Sequence, residues 1–260
     1  MNEAGLVVNL LWEVEATYPK DDGKTPRISL SVFPQYVLDR YATVAEAVAD
    51  LAANPVLVQG GEVPVGPPGR AATVHVSLSD SSGDSAIIEF VRGEMVIHHN
   101  REYQVMTNEP TFERQLAIRE YWNGVNPREF MPGTVRATDR FVRASFYINA
   151  VEQTADPRRA AASVFSVIRE ASVPWGISIA DQPNLSTTRW RVVADQKDRR
   201  YYVESVNSPS IFWVDLAKLD LSPGAKVKKL DLGVDMERIF SGETSAQFKV
   251  AEPFRFQPAD

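Results

Sequence analysis

The spacing of apolar positions changes several times along the chain, and each change marks an element. Residues 5–12 (GLVVNLLW) form a strongly apolar run with β-branched members and predict a buried strand. Residues 18–26 (YPKDDGKTP) read as a loop. Thr43, followed three residues later by Glu46, matches a capping box, in which a hydroxyl and a carboxylate satisfy free backbone N–H groups at a helix start. Val44, Ala47, Val48 and Leu51 then follow at helical spacing, so a helix is expected to about Asn54. Residues 60–70 (GGEVPVGPPGR) hold four glycines and three prolines and predict an irregular connection.

A meander comes next. ATVHVSLS, SAIIEFVR and MVIHHN read as strands, separated by turns at residues 80–84 and at Gly93-Glu94, and residues 103–107 (YQVMT) read as a further strand. Helical spacing then takes over. A helix is expected to begin with Pro110 as its first residue, a second to run over residues 138–151, and a third to start from Asp156 as cap and Pro157 as first residue and end near Ala171. TTRWRVVAD, RRYYVESV, SIFWVDLA and KVKKLDL return to strand patterns. Strands, then helices, then strands is not the alternation of a parallel α/β fold. The pattern predicts an α+β protein of antiparallel sheets with helices packed on them. A four-layer αββα sandwich fits, and so do other α+β arrangements. We expect one domain over residues 1–260.

Composition narrows the function classes. The hydrophobic content of 44% over 260 residues is enough for a real core. The net charge of −6, with Lys226, Lys228 and Lys229 as the densest basic cluster, disfavours nucleic acid as a partner. No apolar run is long enough to span a bilayer, and no secretion signal is visible at the start. The absence of cysteine excludes disulfides and thiolate metal sites. His98 and His99 are neighbours on an expected strand and point to opposite faces, so they cannot chelate one ion together. These two and His75 are expected to be surface or half-buried strand residues.

Five segments, in order, resemble one family. MNEAGLVVNLLW is similar to a "GMNEKGL" strand, and FPQYVLDRYATVAEA to an "LD…TVEE" helix start. LSDSSGDSAIIEFVRGEMVIHHN resembles a "D-x-S-G-x-S-x-x-(I/V)-E" hairpin, VMTNEPTFERQL a "TN-x-P-x-F" turn, and MPGTVRATDRFVRASFY a "PG…S-R-F-x-R" segment. Together they resemble the choloylglycine hydrolases, the bile salt hydrolases and penicillin V acylases. Trp12, where bile salt hydrolases commonly have Asn, is similar to the Gram-negative branch, which includes penicillin V and acylhomoserine lactone acylases.

The resemblance implies an N-terminal nucleophile (Ntn) hydrolase with the αββα sandwich, acting on linear amides in small N-acyl compounds. In that chemistry an N-terminal cysteine attacks the carbonyl while its own α-amine takes the proton. The family's catalytic Asn falls on Asn108, whose amide would donate to the oxyanion. The backbone N–H that completes the oxyanion hole falls on Trp12, whose indole would also wall the acyl pocket. The catalytic Arg falls on Arg140, and Arg143, one turn on, is expected to support it. From residues alone, Asn108 reads first as a turn or helix-start residue, Trp12 as core, and Arg140 as open to an ion pair with Asp139 or a distant carboxylate.

The family's cysteine precedes the "GMNEKGL" segment, so the nucleophile and the opening strands are expected upstream of Met1. No metal, nucleotide or flavin is implied. Penicillin V or acylhomoserine lactones are expected as substrates, with conjugated bile salts, or a catalytically inactive N-acyl-ligand binding protein, as alternatives. A homo-oligomer (a tetramer in relatives) and a periplasmic or secreted location are the remaining expectations.

Overall fold

The computed structural model describes residues 1–63, 69–177 and 187–258. Residues 64–68, the centre of the expected Gly/Pro-rich connection, lie outside them. The chain opens with β1 (Val7–Trp12), β2 (Arg27–Ser29), α1 (Phe33–Arg40), α2 (Val44–Ala53) and β3 (Leu57–Gln59). It continues with β4 (Val74–Ser79), β5 (Ser85–Val91), β6 (Glu94–His99), α3 (Phe112–Val125), α4 (Ala137–Ala150) and α5 (Pro157–Glu170). It closes with β7 (Trp190–Asp195), β8 (Arg200–Ser205), β9 (Ile211–Asp215) and three two-residue strands, β10 (Lys228–Lys229), β11 (Gly242–Glu243) and β12 (Lys249–Val250). This is an α+β protein with sheets ordered β1-β4-β5-β6 and β11-β9-β8-β7. The long strands pair antiparallel. The short β11–β9 and β2–β3 pairs are parallel, the latter because α1 and α2 form the crossover between its strands. The described backbone divides into two compact units, built mainly of Asn2–Ser145 and of Phe146–Arg255.

In the first unit the β1-β4-β5-β6 sheet is apolar on one face and mixed on the other. Val76, Leu78, Ala86, Ile88 and Phe90 lie on one face and pack against Phe33 and Val37 of α1 and Val44, Ala47 and Leu51 of α2. Ile87 turns the other way, to Phe112 of α3 and Phe141 of α4. With both faces covered, β5 is buried over six of its seven residues. β1 departs from the expected buried strand, because among the described residues it pairs with β4 alone, and Leu10 is 41% exposed. α1 is an element the pattern reading missed, although Phe33, Val37 and Tyr41 mark its buried face at four-residue spacing.

Local chemistry sets the element ends. Thr43 Oγ1 accepts from Glu46 N at 3.2 Å, and the Glu46 carboxylate accepts from Ala42 N, one residue before the usual capping-box position. The β5–β6 hairpin turns on Arg92 (φ 54°) and Gly93 (φ 83°), a pair of left-handed residues suited to strand twist. The turn therefore sits one residue earlier than expected, and Glu94 opens β6.

Residues 103–107 form no strand. Their anchors come from side chains: Ser85 Oγ donates to Tyr103 O at 2.7 Å, and Val105 and Met106 pack on the Phe112–Phe141 cluster. α3 starts at Phe112, two residues later than expected, after a cis Glu109–Pro110 peptide. The displaced start has a physical cause: the Phe112 N–H is taken by the Glu89 carboxylate of β5 at 2.9 Å, and the Pro110 carbonyl by Gln115 Nε2 at 2.8 Å.

In the second unit, Asp156 caps α5 by accepting from Arg158 N and Arg159 N, with Pro157 as first residue, as expected. The α5 face of Ala161 and Phe165 packs on Val193, Tyr202 and Trp213 of β7–β9. The KVKKLDL pattern yields only the two residues of β10. Among the described residues no helix is long and apolar enough to cross a membrane.

Candidate active site

Three segments remote in sequence meet at the end of β1. Trp12 is the last residue of β1, Asn108 sits in the turn before α3, and Arg140 lies in the first turn of α4. Asn108 joins the other two: its Nδ2 donates to Trp12 O at 2.9 Å, and its Oδ1 accepts from Arg140 Nη2 at 2.7 Å. A guanidinium can only donate, so Arg140 fixes which end of the amide is oxygen. The NH2 end carries a second hydrogen, and no hydrogen bond among the described residues uses it.

Strand geometry supplies a second donor. Glu13 N bonds Thr73 O, so in the antiparallel ladder the Trp12↔Val74 pair is the non-bonded kind. The Trp12 N–H and C=O therefore both point away from β4, toward the flank where the Asn108 amide lies. Two N–H donors thus share one edge, held by backbone and by a fixed side chain.

The surroundings make this arrangement stiff. Gln115 is 1% exposed, and its Nε2 donates to the carbonyls of Asn108 and Pro110. Thr107 Oγ1 donates to Ala137 O at 2.9 Å, tying the turn to the start of α4. Arg140 Nε donates to Val135 O at 3.0 Å. Arg143 Nη1 donates to Pro132 O and Thr134 O, bracing the segment ahead of the helix. Arg140 is not in an ion pair among the described residues, and Asp139 is occupied with Thr134. Burial lowers the Arg140 pKa; the Glu109 carboxylate opposes this and Arg143 adds to it. The indole of Trp12 lies under the Arg70 guanidinium, 4.5 Å from the ring centroid, and its Nε1 is buried without a partner among the described residues.

The structure thus brings Trp12, Asn108 and Arg140 together, with Arg143 one step behind. Sequence reasoning missed Gln115, Thr107 and Arg70. It also placed His75 at or near the surface, whereas His75 is 1% exposed and faces Glu13 and Glu89. The readable signal was the lone charge of Glu89 inside the apolar run SAIIEF. Burial alone would raise the Glu89 carboxyl, but contacts from His75 and His98 and the Phe112 N–H bring it down to about 2. His98 and His99 do diverge, to Glu89 at 3.1 Å and Asp84 at 2.9 Å.

Comparison with known proteins gives consistent relatives. The pattern of the linear amide C–N hydrolases, choloylglycine hydrolase family, matches residues 1–233. A penicillin V acylase of Pectobacterium atrosepticum is 47% identical over 271 residues, covering 98% of this chain and 72% of that protein. A bile salt hydrolase/transferase of Clostridium perfringens is 23% identical, covering 88% and 74%. The solved structure of a penicillin V acylase from Agrobacterium tumefaciens superposes with a TM-score of 0.91 at 52% identity, covering 99% of this chain and 78% of that one. A conjugated bile acid hydrolase structure from Clostridium perfringens shares the fold, with a TM-score of 0.69 at 20% identity, covering 85% and 73%.

Proposed function

The chain belongs to the choloylglycine hydrolase family of linear amide C–N hydrolases, and from that premise we propose that its site stabilises the tetrahedral adduct formed when a thiol attacks the amide of an N-acyl compound. One observation carries the reading: the Asn108 amide is clamped between Trp12 O and Arg140, on the edge of β1 to which the Trp12 N–H also points. In this reading both N–H groups receive the oxyanion. Such a donor is worth about 3–4 kcal/mol when it is fixed before charge develops. Arg140 is a positioning residue that holds the amide the right way round. The attacking thiol sits on an N-terminal cysteine, and its α-amine, with an ordinary pKa of about 8, accepts the proton. The amine product leaves, an acyl-thioester forms, and water releases the acid. The 260 residues contain no cysteine, so the nucleophile of this reading comes from outside them.

The substrate class we propose is that of penicillin V and N-acylhomoserine lactones. The penicillin V acylase relatives support it, as does an indole at position 12: one face is covered by Arg70, and the other offers an apolar wall to an acyl group.

The test is to express the chain together with the coding sequence immediately before the Met1 codon and assay penicillin V, an N-acylhomoserine lactone and glycocholate. The expected result is a cysteine in that upstream sequence and hydrolysis of penicillin V faster than of glycocholate. Faster cleavage of the bile salt would overturn the substrate class. An in-frame stop, or a folded protein that binds N-acyl compounds without cleaving them, would overturn the enzymatic reading.

A further inference from the structure

Behind the site lies a cluster that the proposed reaction does not use. Glu13 follows Trp12 at the end of β1, His75 lies on the neighbouring β4, and Glu89 on β5. All three are 2% exposed or less. His75 Nδ1 lies 3.5 Å from Glu89 Oε1 and 3.9 Å from Glu13 Oε2, and one oxygen or nitrogen from each of the three falls within 4.8 Å of the others. Glu13 Oε2 and both ring nitrogens of His75 are buried with no hydrogen-bond partner among the described residues. Unpaired polar atoms that converge in a closed interior are the pattern of an unfilled site, because native interiors pair such groups.

We infer that Glu13, His75 and Glu89 bind one divalent first-row transition cation, zinc or its equivalent, as a structural centre. The donor set of one imidazole and two carboxylates suits that class and supplies three of its usual four ligands. Tetrahedral bonds of about 2.0–2.1 Å place ligand atoms roughly 3.3 Å apart, so the His75 contacts close by about 0.2–0.6 Å and the widest separation by up to about 1.5 Å. Charge balances as well: two carboxylates and a neutral imidazole around a divalent ion sum to zero, whereas two buried carboxylates alone do not.

Outer contacts orient the two carboxylate ligands. Glu13 Oε1 accepts from Glu15 N at 2.9 Å, which leaves Oε2 to face the ion. Glu89 Oε2 takes His98 Nε2 at 3.1 Å, and its Oε1 is steered by the Phe112 N–H at 2.9 Å. The ion would therefore join the end of β1, with Trp12, to the start of α3, four residues after Asn108. The competing occupant is a proton, since burial pushes the Glu13 carboxyl upward. The centre plays no part in the amide chemistry, so its failure and that of the proposed function are separate results.

The experiment is metal analysis of the full chain, untagged, grown in zinc-supplemented medium and washed with EDTA to strip surface ions. The expected result is one zinc per chain and a melting temperature above that of protein grown in chelator-treated medium. Glu13→Gln and His75→Gln should each drop to none, while His99→Asn, at the separate surface pair with Asp84, should keep it. Should either inner variant fail to fold, the wild-type zinc content decides. Metal-free wild type, or zinc retained in both inner variants, would overturn the inference.

Discussion

The two sheets handle buried charge differently. In the β1-β4-β5-β6 sheet, charged side chains are buried: Glu13, His75 and Glu89 form a closed group under the strands that carry the site. In the β11-β9-β8-β7 sheet, buried Glu204 is paired directly by Arg169 and by Arg191 at 3.1 Å, and other charges pair near the surface, such as Lys218 with Glu243 at 2.9 Å. A surface pair such as Lys218–Glu243 contributes roughly 0–1 kcal/mol, so little depends on it. A buried carboxylate without its partners is far more costly, so keeping one calls for a role. Here the role is visible, since Glu89 holds the N-terminus of α3 and thereby the Asn108 turn.

This contrast can be broken in order of size. Glu89→Ala should cost about 3–5 kcal/mol, because it removes the carboxylate facing His75 and strands His98 and the Phe112 N–H. Denaturant unfolding would register this as a large fall in midpoint, and a loss below 1 kcal/mol would erase the distinction between the sheets.

The next effect is on acid stability. In metal-free protein the Glu89 carboxyl is depressed to about 2 from 4.5, so its contribution is present above pH 4.5 and is lost as pH falls toward 2. The shift corresponds to on the order of 3 kcal/mol. Glu13 has the opposite sign: its raised carboxyl favours folding at low pH and loses that contribution as pH rises through its folded value. Acid unfolding of wild type should therefore be steeper between pH 4.5 and 2 than that of Glu89→Gln, and coincident curves would contradict the assignment.

Smaller effects belong to the second sheet's unit. Asp156→Ala removes the α5 cap and should cost about 1 kcal/mol. Lys218→Ala should change thermal stability by about 0.5 kcal/mol or less.

Local signals were readable where the chain carries its own instructions. Asp156-Pro157 and Thr43…Glu46 specify helix starts through neighbouring atoms, and the structure has both. The Asn108 turn was legible only through resemblance, since an Asn before Pro110 reads first as a turn or helix start. Its neighbours misled, because the position of α3 is set by Glu89, twenty-three residues upstream, and not by Pro110. Residues 103–107 look like a strand by composition, but a strand needs a partner, and pairing is not written in one segment. The Glu13–His75–Glu89 group was invisible for the same reason. His75 and Glu89 come from two strands and Glu13 from the end of a third, and only the observed register brings them together.

The central claim is that the amide held between Trp12 and Arg140 receives the oxyanion. The direct measurement is the kcat of penicillin V hydrolysis for the cysteine-bearing protein and its Asn108→Ala variant. The account predicts a fall of about 10²–10³-fold with the fold intact. An unchanged kcat would contradict it.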